Sequence, residues 1–154
     1  MDWTLFWPKK PLPLFSASEE ESIVNAIVLA EQKTSAEIRV HIGKQKKVVD
    51  VVSVASQSFN SLGMHKTAER NGVLIFLLPK SKQFAIIGDK GINSKVDGLE
   101  WVEIRNQMQV HFQQEEFLKG VIHGIEKAGS LLSRYFKPNK SNPNELSNAL
   151  SQDA

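Results

Sequence analysis

Three separate stretches carry the densest chemistry in this chain. Glu37 lies in Thr34-Ser35-Ala36-Glu37-Ile38, Arg70 and Asn71 open Arg70-Asn71-Gly72-Val73-Leu74, and Asp89 lies in Gly88-Asp89-Lys90-Gly91-Ile92. Two carboxylates and a guanidinium within reach of one another can bind a cation such as Ca²⁺ or Mg²⁺, or orient water at a phosphate ester. Asp89 is then the candidate catalytic group, and Glu37 and Asp89 are the candidate metal ligands. The structural alternative is equally concrete. An Asp in a glycine-flanked turn commonly bonds its own turn, and an Arg near acids commonly forms a surface ion pair worth under ~1 kcal/mol.

Whether these residues meet depends on the elements that carry them. Val73 to Leu78 are apolar without a break, as expected of a central strand covered on both faces. Pro79 to Lys82 read as a turn, because proline cannot continue the ladder. Gln83 to Ile87 return as the second strand of a hairpin, and Gly88 to Gly91 end it, with glycines free to take positive φ. Upstream, Ala36 to Ile42 alternates, placing Ile38, Val40 and Ile42 on one face and Glu37, Arg39 and His41 on the other. That pattern predicts a half-exposed strand. Val52, Ala55, Phe59 and Leu62 mark a helix between the two strands, closed by Gly63. Strand, helix, strand makes a parallel βαβ unit.

The register follows. If Leu78 pairs with Gln83, Gly72 pairs with about Asp89, and a parallel first strand brings Glu37 to the same end. Glu37, Arg70, Asn71 and Asp89 should therefore gather at one rim of the sheet, with Thr34 nearby. This is the rim opposite the carboxyl ends where ligands of open α/β sheets usually bind.

Helices complete the frame. Ser18-Glu19-Glu20-Glu21 reads as a capping box for a first helix from Glu19 to Lys33. Asp97 can cap a third, with Trp101, Ile104, Met108 and Phe112 as its apolar stripe. A break at Gln113 to Glu116 precedes a fourth, carrying Val121, Ile125, Ala128, Leu132 and Phe136, in which Gly120 and Gly124 permit close backbone approach. The expected architecture is α/β: a small mixed sheet, a parallel βαβ unit plus an antiparallel hairpin, with helices on both faces.

Flanking segments differ from this domain, which spans residues 15–136. Residues 1–14 hold Trp3, Phe6 and Trp7 followed by Pro8, Pro11 and Pro13, an extended aromatic arm expected to pack on the domain or on another chain. Residues 137–154 are rich in Asn and Ser and read as a loose tail, with one docked turn starting at Asn144-Glu145-Leu146.

Composition excludes several classes. The 154-residue chain has no cysteine, hence no disulfide frame and no thiolate chemistry. A net charge of +2 gives no nucleic-acid footprint, and Lys44 to Lys47 form a solvated basic loop. No run approaches the ~20 apolar residues of a membrane span, and the start does not read as a signal peptide. A soluble cytoplasmic protein is expected. His41, His65, His111 and His123 show no metal-ligand spacing, and no P-loop, Gly-x-Ser-x-Gly or dinucleotide fingerprint is present.

The three stretches quoted first, with Ala55 to Phe59, Trp101, and the helix through Gly124 to Phe136, resemble the TPM-domain family over roughly Phe15 to Phe136. The resemblance implies a Rossmann-like domain. Among its members are plant proteins described as thylakoid-lumen acid phosphatases and others described as photosystem-repair factors. Many bacterial members have a signal peptide and a membrane helix, and this chain resembles a short form without them. Where longer members have an Asp-containing segment before the first helix, this chain has Phe15-Ser16-Ala17-Ser18, so a site using an acid there does not carry over. Two functions follow as expectations: a non-catalytic interaction module acting with a membrane-associated protein partner, or a weak metal-assisted phosphatase centred on Asp89.

Overall fold

The computed structural model describes residues 13–138 and 150–153. Trp3, Phe6 and Trp7 of the aromatic arm, and the expected turn at Asn144 to Leu146, lie outside the described residues.

The sheet has four strands in the order β3-β2-β1-β4. β1 (Glu37–Ile42) runs parallel to β2 (Gly72–Leu78), which pairs antiparallel with β3 (Gln83–Gly88). β2 is buried at every position, as its unbroken apolar run requires. Its alternate side chains feed two cores. Val73, Ile75 and Leu77 join Ile38, Val40 and Ile42 beneath α1 (Ala17–Glu31), α4 (Gly98–Gln113) and α5 (Phe117–Tyr135). Leu74, Phe76 and Leu78 pack with Ala55 and Phe59 of α2 (Val51–Ser61) on the other face. The fold is the expected Rossmann-like α/β arrangement with helices on both faces of a mixed sheet.

The hairpin register is the expected one, with Leu78 opposite Gln83 and Val73 opposite Gly88. Pro79 to Ser81 form a 3₁₀ turn, and Lys82 closes it at φ 54°. Gly63 takes φ 72° after α2, the left-handed position that favours glycine. Gly91 does something else: it lies within the four-residue α3 (Lys90–Asn93), and a Cβ there would collide with the Glu69 and Arg70 carbonyl oxygens. Its role is close approach, not positive φ. Gly120 and Gly124 serve the same end between α4 and α5, where a Cβ would strike Phe112 and Met108.

Four local expectations change. The α1 cap is Ser16, not Ser18: Ser16 Oγ accepts from Glu19 N, and Ser16 N donates to the Glu19 carboxylate. Val52, expected on the buried stripe of α2, is exposed, while Ala55 and Phe59 are buried as expected. β1 is not half-exposed, since Glu37 and His41 are only 3% and 4% accessible. The Phe76 ring lies parallel to His41, and Ser151 and Asp153 from the chain end close the edge beside it. Ser151–Gln152, expected within the loose tail, forms β4 beside β1.

Candidate functional site

Three strands set the amino-end rim of the sheet. Glu37 opens β1 directly opposite Gly72, which opens β2. Asp89 follows β3, and its N–H donates to the Gly72 carbonyl at 3.0 Å. Glu37, Gly72 and Asp89 thus form one row across three strands, with Arg70 and Asn71 immediately before β2. Thr34 stands behind the row, its hydroxyl donating to the Phe136 carbonyl at 2.5 Å and accepting from Ala36 N at 3.2 Å. The structure brings all five sequence-identified residues to one rim.

Their side chains divide into two groups. Asp89 is 7% accessible. Arg70 Nε donates to its Oδ2 at 2.7 Å and Arg70 Nη2 to its Oδ1 at 2.9 Å. Lys90 N donates to the same Oδ1 at 2.8 Å, so Asp89 also caps α3. Arg70 takes φ 50°, an uncommon conformation for a residue with a side chain. Its backbone is held by Thr67 O at 3.2 Å and by Gly91 N at 2.9 Å. The Asp89 hydrogen bond holds the Arg70 proton even more firmly than usual.

Asn71 belongs to the second group. Its N–H donates to Thr67 Oγ1 at 3.1 Å, and its Nδ2 reaches Ser35 Oγ at 3.3 Å and Glu69 Oε2 at 3.4 Å. Ser35 Oγ donates to the same Glu69 oxygen at 2.7 Å. Glu37 has a half-buried carboxyl neighbour in Glu31, at the end of α1. Burial pushes the Glu31 carboxyl up to about 8, the Ile38 N–H lowers it, and the charge and hydrogen bond of Glu37 raise it further. Ile38 N donates to Glu31 Oε2 at 2.8 Å.

Sequence reasoning missed Glu31, Ser35 and Glu69 as members of the rim. Ser35 was inside a quoted stretch and Glu69 is next to Arg70, so adjacency was a usable signal. Glu31 left none, since only the return of α1 onto β1 turns it inward.

Glu37 and Asp89 are the candidate ligands of a divalent cation, so their surroundings must be tested for one. Around Asp89 the set does not fit: the guanidinium occupies the face where a cation would sit, and both oxygens are engaged. Among the described residues, no group of three or more His, Asp or Glu side chains converges as a metal cage would. The histidines are dispersed. His41 is on β1, while His111 and His123 are neighbours across α4 and α5, with ring centroids 5.4 Å apart.

No helix of the described residues is long and apolar enough to cross a membrane. No curated protein matches the chain. Among solved structures, the chain is similar to the NMR structure of the BA42 protein from the psychrophilic bacterium Bizionia argentinensis. That match has 42% identity and a TM-score of 0.86, covering 95% of this chain and 100% of that one. The N-terminal domain of the cg2496 protein from Corynebacterium glutamicum matches at 18% identity and a TM-score of 0.60, covering 88% of this chain and 79% of that one. The N-terminal domain of a protein from P. gingivalis matches at 18% and 0.64, covering 80% of each chain. The last two share the fold. The TPM domain model matches residues 12–131, most of the chain, and the chain belongs to the TPM-domain family.

Proposed function

We propose that this chain is a non-catalytic interaction module that works in the cytoplasm with a membrane-associated protein partner. The observation that carries the reading is the state of Asp89. Its carboxylate receives two bonds from Arg70 and one from Lys90, so its oxygens are committed to holding α3 and the strand ends. A general base or nucleophile needs an oxygen directed at substrate. Exposed apolar side chains supply material for a partner surface instead, with Leu99 75% and Leu29 61% accessible.

The second reading, a weak metal-assisted phosphatase, draws on the family resemblance and on the neighbouring half-buried Glu31 and buried Glu37 carboxyls at the same rim. Turnover of a generic phosphate ester, measured with and without Ca²⁺ or Mg²⁺, separates the two. The module reading expects no turnover above blank. Turnover that disappears in Asp89→Asn, with the fold intact by circular dichroism, overturns it. Liposome flotation of the full chain checks the partner. Flotation that needs a membrane protein in the vesicle supports the module, and flotation on lipid alone replaces the protein partner with the bilayer.

A further inference from the structure

The outer edge of β1 carries a set of contacts separate from the rim. β4 pairs there in parallel, His41 opposite Ser151 and Ile42 opposite Gln152. Two ladder positions are a short strand, and side chains supply most of the grip. Leu150 packs against the main core. His41 Nδ1 lies 2.7 Å from Ser151 Oγ, and His41 Nε2 lies 2.8 Å from Asp153 Oδ1. Asp153 N donates to Ile42 O at 2.9 Å, and Lys44 N donates to Asp153 Oδ2 at 3.1 Å. The His41 ring is parallel to Phe76 within 7°, centroids 6.0 Å apart, which fixes the direction of both ring nitrogens. Gln152 instead reaches outward to Glu20 at 3.4 Å.

Serine, histidine and aspartate in contact are also the residue types of a hydrolase triad. The surroundings do not suit one. Ser151 Oγ is additionally shared with Arg39 Nε at 3.3 Å and Val40 O at 3.5 Å. None of the described cavities is lined by Ser151 or His41. The contacts describe recognition: an apolar seat for Leu150, a histidine reading a hydroxyl, a skipped position, and a carboxylate held by a ring nitrogen and a backbone N–H.

We infer that the β1 edge from Arg39 to Lys44 is a strand-addition site for an extended protein segment of the pattern Leu-Ser-x-Asp, and that residues 150–153 occupy it in cis as a tethered ligand. Strand addition draws affinity from backbone bonds and specificity from alternate side chains, which is the division seen here. The tether permits it. Phe136 is bound at the amino end of β1 through Ser35 N, and Ser151 is near the carboxyl end. The six residues of β1 cover about 20 Å. The 13 residues from 137 to 149 reach about 45 Å when extended. Closure in cis therefore has slack, and the local concentration of the tail is of order millimolar. A partner strand enters by binding better than the tail or by drawing the tail away. The inference deepens the interaction-module reading and rests on it for a cellular role, while the edge itself can be tested alone.

The test uses the full chain with Asp153→Ala, which weakens the cis ligand and leaves the receptor edge intact. The probe is a fluorescein-labelled peptide of residues 148–154, followed by anisotropy. The variant should bind this peptide at least about tenfold more tightly than the unaltered chain does. The same peptide with Asp153→Ala should lose at least about tenfold. Amide shifts in ¹⁵N spectra of the variant should concentrate at Val40 to Lys44. If the variant is unfolded, excess unlabelled peptide is added to the ¹⁵N-labelled unaltered chain, where Ser151 and Gln152 signals should move to free-peptide positions. No binding by a folded variant at millimolar peptide, binding indifferent to the peptide's Asp153, or no tail displacement overturns the proposal. Phosphate-ester turnover with peptide binding intact would remove the module reading and leave this edge standing.

Discussion

Arg70 grips Asp89 by two bonds of 2.7 and 2.9 Å, one to each carboxylate oxygen, while Lys90 N donates to the same carboxylate at 2.8 Å. One side chain therefore joins the entry to β2 with the start of α3. Asp89→Ala should lower stability, the lost cap alone contributing ~0.5–2 kcal/mol. Asp89→Asn, which retains one acceptor for Lys90 N, should fall between it and the unaltered chain. Arg70→Lys should not restore the pair, because an ammonium lacks the planar fork. Urea denaturation of the three variants checks the order. An Asp89→Ala chain more stable than the original would mean that the carboxylate is held at a cost, as functional groups often are.

Gly91 and Gly98 make a matched contrast. A methyl at Gly91 would press on backbone carbonyls that cannot rotate away, whereas Gly98, in the first turn of α4, has nothing within 4 Å. Gly91→Ala should destabilise by about 1–3 kcal/mol or more. Gly98→Ala should be neutral to stabilising by up to ~1 kcal/mol, through the unfolded chain. Thermal unfolding of the pair decides it, and equal effects would deny the close approach.

The rim was legible in the sequence because it follows from counting. An unbroken apolar strand, a turn beginning at proline and a glycine-flanked aspartate leave one register that keeps the apolar side chains inside. The edge at His41 was not legible, because period-two alternation assigns a side chain to a face without saying what covers that face. β4 has two residues and no pattern of its own. The α1 cap was misassigned to Ser18, although Ser16 also precedes a glutamate by three residues. Burial of Leu14 and Phe15 at 2% each accompanies the earlier start, bringing the chain into the core just before the helix.

The corrected cap yields its own test. Ser16 makes both halves of the capping box, whereas Ser18 sits inside the first turn. Ser16→Ala should cost ~0.5–2 kcal/mol and Ser18→Ala much less. Chemical denaturation showing the reverse order would return the cap to Ser18.

Glu31 predicts the pH response of the fold. Burial raises the folded Glu31 carboxyl from 4.5 to about 8, so between those values the folded chain binds a proton that the unfolded chain has released. Stability then falls as pH rises. Below about 4.5 both states are protonated and the contribution is fully present; above about 8 both are ionised and it is lost. A tenfold change in proton affinity corresponds to about 1.4 kcal/mol, and partial solvent screening of Glu31 reduces the whole, leaving an expected loss of about 1–2 kcal/mol across the window. Glu31→Gln keeps an acceptor for Ile38 N and cannot ionise. It should match the original chain near pH 4.5, exceed it in stability above about pH 8, and flatten the difference curve between. Urea midpoints across that range measure it. A difference between the two chains that is constant with pH would show that folding does not hold a proton on Glu31.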